Sequence, residues 1–520
     1  MTYVEVMNVT PATNTVQLES EAPKMGALTD LFQSLNNSGI RYCHWKSNIR
    51  LDKSLQGKTD FDLLVAREDS RTLRHILNRQ NIKLLKPAPG HDYPAMENYL
   101  GMDEPTGVFF HLHVHYRLVL GEQFVKNYRL PFENDFLDKV QTSREIKIPL
   151  PELEIVVLAV RVLLKYRTRD LVKDMFPLRG PGINAGFRTE IKWLLAQTSI
   201  EKIKMTLDAW RDLIDPDDIL EFLQIAESGH KAGYKLQRIR NRIKHRLSLF
   251  QRTHAISAAV TYFRELWGRR MFWRTSPITK MTFPEGGQTI AFIGADGAGK
   301  STMTALLIQW LSWKLDIHTF YLGSKKPSRR SSFYYSVFRM MRRLTNLVSE
   351  RNPLGKVLKW LRDIPLYMHY HSTGRDRYAR FVEGGKRAQA GSIVLFDRYP
   401  LEIFNTDSID FHEMDGAKIA SLAKDRNDFI TRWFVRAEKE LYSSMTLPDC
   451  VIVLDVSPEV STARKPDHAP AVLEAKIKGV RSLIVVIRSK HHDVRLIHIN
   501  ADQPFDEVAL QLKRNIWSAL

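Results

Sequence analysis

Residues 294–302 read GADGAGKST, and this stretch constrains the fold more than any other. It fits the phosphate-loop pattern, in which a strand runs into a glycine-rich turn and a helix starts at the lysine. The apolar run Ile290–Ile293 supplies the strand, and a helix is expected from about Lys300. The glycines let the loop curl so that backbone N–H groups face a β-phosphate, and the helix N-terminus adds positive potential. Lys300 is placed to span the β- and γ-phosphates and Ser301 to hold Mg²⁺. Four more apolar runs follow: DIHTFYLG, SIVLFDRY, CVIVLDVS and VRLIHINA, with helical stretches between them. That alternation implies a parallel sheet covered on both faces. The α/β unit is expected over 288–520.

Two later segments add chemistry. SIVLFDRYP ends a strand in Asp397, Arg398 and Tyr399. A carboxylate there can orient Mg²⁺ or its water, and the guanidinium can grip a phosphate with two hydrogen bonds. Alone, the triplet also fits a turn with an ion pair. LDVSPEVSTARKPDHAP, 454–470, ends a helix in Arg464 and Lys465, cations suited to a lid or to a solvated helix end.

In order and spacing, FIGADGAGKST, VLFDRYP, PDCVIVLDVSPEVSTARK and IHINADQPFDEV resemble the thymidylate kinase family, over about 288–515. The resemblance implies a doubly wound P-loop kinase that moves the γ-phosphate of ATP onto a nucleoside monophosphate with Mg²⁺. It implies that Gly294, Asp296, Gly297, Ala298, Gly299, Lys300, Ser301 and Thr302 hold ATP, with Ala501 on the adenine-contacting loop. Mg²⁺ falls to Ser301 and Asp397. Arg377, Arg398, Tyr399 and Lys465 lie toward the acceptor, and Lys300, Asp397, Arg398 and Arg464 are the catalytic set. Relatives of such kinases often pair, so a homodimer is one expected state.

One departure is large. From Lys325 to Arg362 there are eleven Lys and Arg against one acid, Glu350. That excess is more than half of the chain's net charge of +19. It fits a larger or more anionic acceptor, docking on an anionic surface, or a solvated basic insertion.

A second signature lies far upstream. In GKTDFDLLV, 57–65, alternation puts Asp60 and Asp62 on one face of a strand, with Phe61 and Leu63 behind. Two converging carboxylates repel unless a cation or proton lies between them. CHWKSNIRLDKSLQGKTDFDLLV resembles the nucleotidyltransferase superfamily, and the resemblance puts Ser47 and Asn48 at the phosphate-meeting turn. Lys46 stands where that family has glycine. The family's third carboxylate is missing from FFHLHVHYRL, which offers His111, His113 and His115 on one face instead. These could bind a metal, line a cleft or serve as ordinary strand residues.

The chain therefore divides into an expected flexible tail over 1–24, a nucleotidyltransferase-like α+β domain over 25–150, a helical region over 151–275, a linker over 276–287 and the kinase-like domain. The run IVVLAVRVLL, 155–164, is too short to span a membrane and reads as a buried helix. MTYVEVMNVTPATN lacks the basic-then-apolar order of a signal peptide, and the two cysteines, Cys43 and Cys450, fit no metal spacing. The cytosol is the expected compartment. Three functions fit: a nucleotide kinase fused to a nucleotidyltransferase-like domain, a P-loop kinase acting on a phosphorylated sugar or glycan intermediate, and an ATP-gated binding protein at an anionic surface.

Overall fold

The computed structural model describes residues 25–122, 125–167, 170–171, 183–272, 278–323, 327–346, 353–404, 418–422 and 428–520. The expected tail 1–24, and residues 325, 326 and 347–352 of the basic stretch, lie outside the described residues.

The N-terminal half is a five-stranded mixed sheet. Its strands are β1 (Tyr42–His44), β2 (Phe61–Val65), β3 (Lys83–Leu85), β4 (Met96–Asp103) and β5 (Val108–His115), in the order β1-β2-β5-β4-β3. β2 and β5 run parallel with Asp62 opposite His113, and the other neighbours are antiparallel. Helix α1 (Gly26–Asn37) has apolar residues at helical spacing, so Leu28, Leu31, Phe32 and Leu35 share one buried stripe. That stripe packs with Phe61, Leu63, Phe110 and Leu112 on one sheet face. The opposite face of β2 and β5 carries Asp62, Phe109, His111, His113 and His115. β5 ends at His115, and the chain resumes as a short strand at Leu118–Leu120 that pairs with Tyr128–Leu130.

The middle of the chain is helical. α2 (Ser70–Arg79) belongs to the first sheet, and α3 (Pro151–Lys165) begins the helical region with both sides buried. Its polar members find partners: Arg161 lies 3.4 Å from Glu190. α4 (Gly233–Arg246) buries Leu236, Ile239 and Ile243 as its spacing predicts. Arg240 of the same helix is buried as well and pairs with Glu122 at 2.7 Å. α5 (Ala255–Phe272) follows. No helix among the described residues is long and apolar enough to cross a membrane.

The C-terminal half is a five-stranded sheet, all parallel. Its strands are β6 (Thr289–Gly294), β7 (Ile317–Tyr321), β8 (Ile393–Asp397), β9 (Cys450–Asp455) and β10 (Arg495–Asn500). The order β7-β8-β6-β9-β10 puts the first strand at the centre and the crossovers on both sides. Because the central strands β6, β8 and β9 are apolar on both faces, helices cover both. One face packs α6 (Lys300–Leu311), and the other packs the long helix that ends at Gln389. The basic stretch forms a hairpin of α7 (Arg329–Thr345) and that long helix, α8 (Pro353–Gln389). α9 (Phe429–Ser443), α10 (Pro458–Arg464), α11 (Pro470–Lys490) and α12 (Phe505–Ala519) complete the half, with α12 beside α6 and α11 beside α8.

The two sheets share a core. Leu85, Leu100, Met102 and Phe109 of the first half pack with Leu311, Leu315 and Trp517 of the second. Phe109 stacks on Trp310 with ring centroids 4.2 Å apart, and Trp310 Nε1 donates to the Gly107 carbonyl at 2.8 Å. Residues 278–287, from the stretch read as a linker, are threaded between the halves. Thr282 exchanges backbone hydrogen bonds with Lys86 on one side, and Phe283 N donates to Gly391 O on the other. Pro and Gly mark irregular backbone here, yet several of its backbone groups are bonded to both halves.

Candidate functional site

The phosphate loop joins β6 to α6 at the carboxyl end of the parallel sheet. Gly297 and Gly299 sit at φ +83° and +84°, where a side chain would be strained. A Cβ on Gly294 would approach the Leu454 carbonyl to 2.8 Å, so the loop needs glycine there for space. Ser301 and Thr302 lie exposed in the first turn of α6. Lys300 folds back over the loop, and its Nζ donates to the carbonyls of Gly294 and Ala295 at 2.8 Å each. Burial pushes its ammonium down to about 8, while Asp296 acts against that shift.

Neighbouring elements hold the loop. Lys476 of α11 pairs with Asp296 at 2.8 Å. Burial alone would raise the Asp296 carboxyl, but Lys476 brings it below the usual range. From α10, Ser461 Oγ donates to the Asp296 carbonyl at 2.7 Å and Arg464 Nη1 to the Gly297 carbonyl at 3.2 Å. Lys465 is exposed just past α10. Asp397 ends β8, the strand next to β6. Arg398 follows at φ +59°, a left-handed position that costs a non-glycine residue energy and is common in functional turns.

The structure sets three expected site residues inside the fold. Tyr399 is buried, and its hydroxyl donates to the Thr446 carbonyl. Arg377 is buried between α8 and α9, donating to the Tyr442 hydroxyl. Ala501 is buried at the end of β10, its N–H bonded to the Asp455 carbonyl at 2.7 Å. Arg380, one turn on from Arg377, reaches the end of β7 through a 2.9 Å bond to the Tyr321 carbonyl. Sequence reasoning missed Lys476 and Arg380. A helix rich in lysine and arginine offers no sign of which one turns inward.

The second cluster lies on the first sheet. His111 Nδ1 is 3.1 Å from Asp60 Oδ1, and His113 Nδ1 is 3.3 Å from Asp62 Oδ1. His115 Nε2 is 3.4 Å from the same Asp62 oxygen. Two lysines neutralise the pair: Lys46 lies 2.8 Å from Asp62, and Lys314 lies 2.8 Å from Asp60. Burial pushes both carboxyls up, but the lysines and imidazoles hold them well below the usual range. Burial lowers His111 to about 4 and His115 to about 3, so both are neutral at pH 7. His111 is fully buried, and among the described residues its Nε2 meets no hydrogen-bond partner. Asp60, His111 and His113 offer ligand atoms within 4.8 Å of one another.

The turn before this strand has a structural duty. Ser47 is at φ +60°. Asn48 is buried; its amide donates to Glu154 of α3 at 2.7 Å, and its carbonyl oxygen lies 2.6 Å from His44 Nδ1. Asn48 thus ties the turn to the helical region. Lys46, standing where the resembled family has glycine, was the one hint of the lysine pairing. Lys314 had none, because its contact with Asp60 spans 254 residues.

Fold and loop together define a mixed α/β chain of the phosphate-loop kind. No protein-family model matches it. The chain is similar to the Uncharacterized ATP-binding protein YghR of Escherichia coli K12, with 26% identity over 250 residues, 47% of this chain and 93% of the relative. It is 25% identical over 250 residues to the Uncharacterized ATP-binding protein YghS of the same strain, covering 45% of this chain and 94% of the relative. Among solved structures it is similar to deoxyadenosine kinase from M. mycoides with bound dATP, at 15% identity and a TM-score of 0.26, over 44% of this chain and 99% of that one. The same enzyme with dCMP and dCDP bound gives 16% identity and a TM-score of 0.27, over 45% of this chain and 100% of that one. These TM-scores are too low to support either a fold or an acceptor.

Proposed function

We propose that the C-terminal half is an ATP-dependent phosphotransferase whose acceptor is a nucleoside monophosphate. The observation that carries this reading is the loop Gly294–Ser301. It has left-handed glycines, a half-buried lysine at its mouth, and Asp397 and Arg398 at the end of the adjoining strand. Two relatives named as ATP-binding proteins support ATP as the donor. Ser301 and Asp397 offer the hard oxygen donors that suit Mg²⁺ and would hold it. Bound there, the ion neutralises charge on the phosphates. Lys300 exchanges its two carbonyl partners for phosphate oxygens, Arg398 grips the acceptor, and Arg464 closes over the loop. The γ-phosphoryl group moves to an acceptor oxygen, leaving ADP. The cytoplasm is the proposed compartment.

In the N-terminal half we assign Asp60, Asp62, His111 and His113 to binding a divalent cation together with a phosphate-bearing ligand. We assign no transfer chemistry, since strand β5 carries no acid. Imidazole among the donors suits Mn²⁺ or Zn²⁺ better than Mg²⁺.

One observation favours a second acceptor class. Arg339, Arg342 and Arg343 are exposed on α7, with Phe333, Met340 and Leu344 exposed beside them. A phosphorylated sugar or glycan intermediate would use such a surface. The test is ADP release from ATP and Mg²⁺ with dTMP, other nucleoside monophosphates, sugar phosphates or no acceptor. Turnover with a nucleoside monophosphate supports the first reading. Turnover with sugar phosphates alone replaces it with the second.

A further inference from the structure

A cavity of about 390 Å³ lies between the two halves, within the size range of small-ligand sites. Lys46, Asp62 and Lys126 reach it from the N-terminal half, and Lys280, Trp313 and Lys314 from the C-terminal half. Its charges do not cancel. Lys46 is matched by Asp62 and Lys314 by Asp60, each at 2.8 Å. Among the described residues, Lys126 and Lys280 reach no carboxylate. Lys126 lies 3.8 Å over the ring of Tyr93, and Lys280 meets the Ser312 carbonyl. Lys126 is half-buried, and an ammonium drawn partly out of water favours a counter-charge, while Lys280 is exposed to an incoming anion. Tyr93 and Trp313 also line the cavity, each ring under a lysine, Lys126 at 3.8 Å and Lys314 at 4.8 Å.

We infer that this cavity binds a phosphate-bearing small molecule, gripped by lysines from both halves, with Lys314 supplied by the phosphate-loop half. The site is then complete only in the fused chain. Lys314 lies three residues past the end of α6, whose first residue is Lys300, so a helix of roughly 18 Å and a short turn separate the two phosphate sites. The inference rests on the reading of the Asp60 and Asp62 site as one for a phosphate-bearing ligand, and it does not depend on the phosphate loop being active.

The test counts binding sites for labelled inorganic pyrophosphate on the full chain by equilibrium dialysis. Wild type is expected to bind two equivalents. Lys300→Met should lose one. Lys314→Met and Lys126→Met should each weaken the other at least tenfold, and Lys314→Arg should restore it. Wild-type binding in both Lys314→Met and Lys126→Met overturns the inference. So does a single wild-type equivalent that Lys300→Met abolishes. If Lys300→Met keeps both equivalents while Lys314→Met loses one, the cavity stands and the phosphate-loop reading fails. Thermal melts separate loss of binding from loss of fold, and Lys126→Met serves where Lys314→Met does not fold. Repeating the titration with a nucleoside monophosphate separates a nucleotide, bound more tightly through Tyr93 and Trp313, from an inorganic phosphate; either supports the site.

Discussion

Lys300 concentrates the chemistry of the C-terminal half in one side chain. It is a half-buried ammonium whose partners are two backbone carbonyls, an arrangement that a phosphate improves. Lys300→Ala is expected to lower acceptor-dependent ATP turnover by about 100- to 1000-fold without lowering the melting temperature. Steady-state kinetics and a thermal melt check both. Glu154 makes a separate point about burial, which pushes its carboxyl up to about 7 while Asn48 opposes the shift. Such a group binds its proton more tightly in the folded chain. Its contribution is full below pH 4.5 and is lost as pH climbs to about 7. Wild-type stability should therefore fall relative to Glu154→Gln by about 2–3 kcal/mol across that window. Denaturant melts of both proteins at pH 4.5 and 7.5 measure it; a constant difference refutes it. The sequence disclosed Asp60, Asp62 and the three histidines on one face, because strand alternation is a local rule. It could not disclose Lys314 or Lys476, which arrive from distant turns of the chain.

Glycines set how closely the elements approach. Gly287 is the tightest case, since a Cβ there would fall 1.8 Å from the Ser392 carbonyl oxygen. Gly287→Ala should unseat the threaded segment and cost about 2–3 kcal/mol, read as a lower denaturant midpoint. Gly297 governs the loop against α10. Its φ is +83°, and a Cβ would meet the Ser461 carbonyl oxygen at 3.0 Å. Gly297→Ala is expected to weaken ATP binding at least tenfold, roughly 1.4 kcal/mol, as calorimetric titration would show. The elements themselves could largely be read from periodicity. α1 shows its stripe and the five parallel strands show their apolar runs. Periodicity does not report what depends on neighbours: β5 stops at His115, and Arg240 turns inward to pair with Glu122.

The halves are joined by a shared apolar core rather than a tether. Phe109 lies at its centre, between Trp310 and Trp517. Phe109→Ala should cost about 3–5 kcal/mol and lower the melting of both halves together. Selective loss of one half would contradict a common core. None of this could be read from residues 276–287, whose composition speaks only of irregular backbone. The apolar residues of α6 and β5 could equally have been buried within their own halves.

The decisive measurement follows the γ-phosphate itself. With γ-labelled ATP, Mg²⁺ and a nucleoside monophosphate, the wild type is expected to place label on the acceptor, Asp62→Ala to do the same, and Lys300→Ala to fail. Label released only as inorganic phosphate, or transfer that survives in Lys300→Ala, would contradict phosphoryl transfer at the Gly294–Ser301 loop.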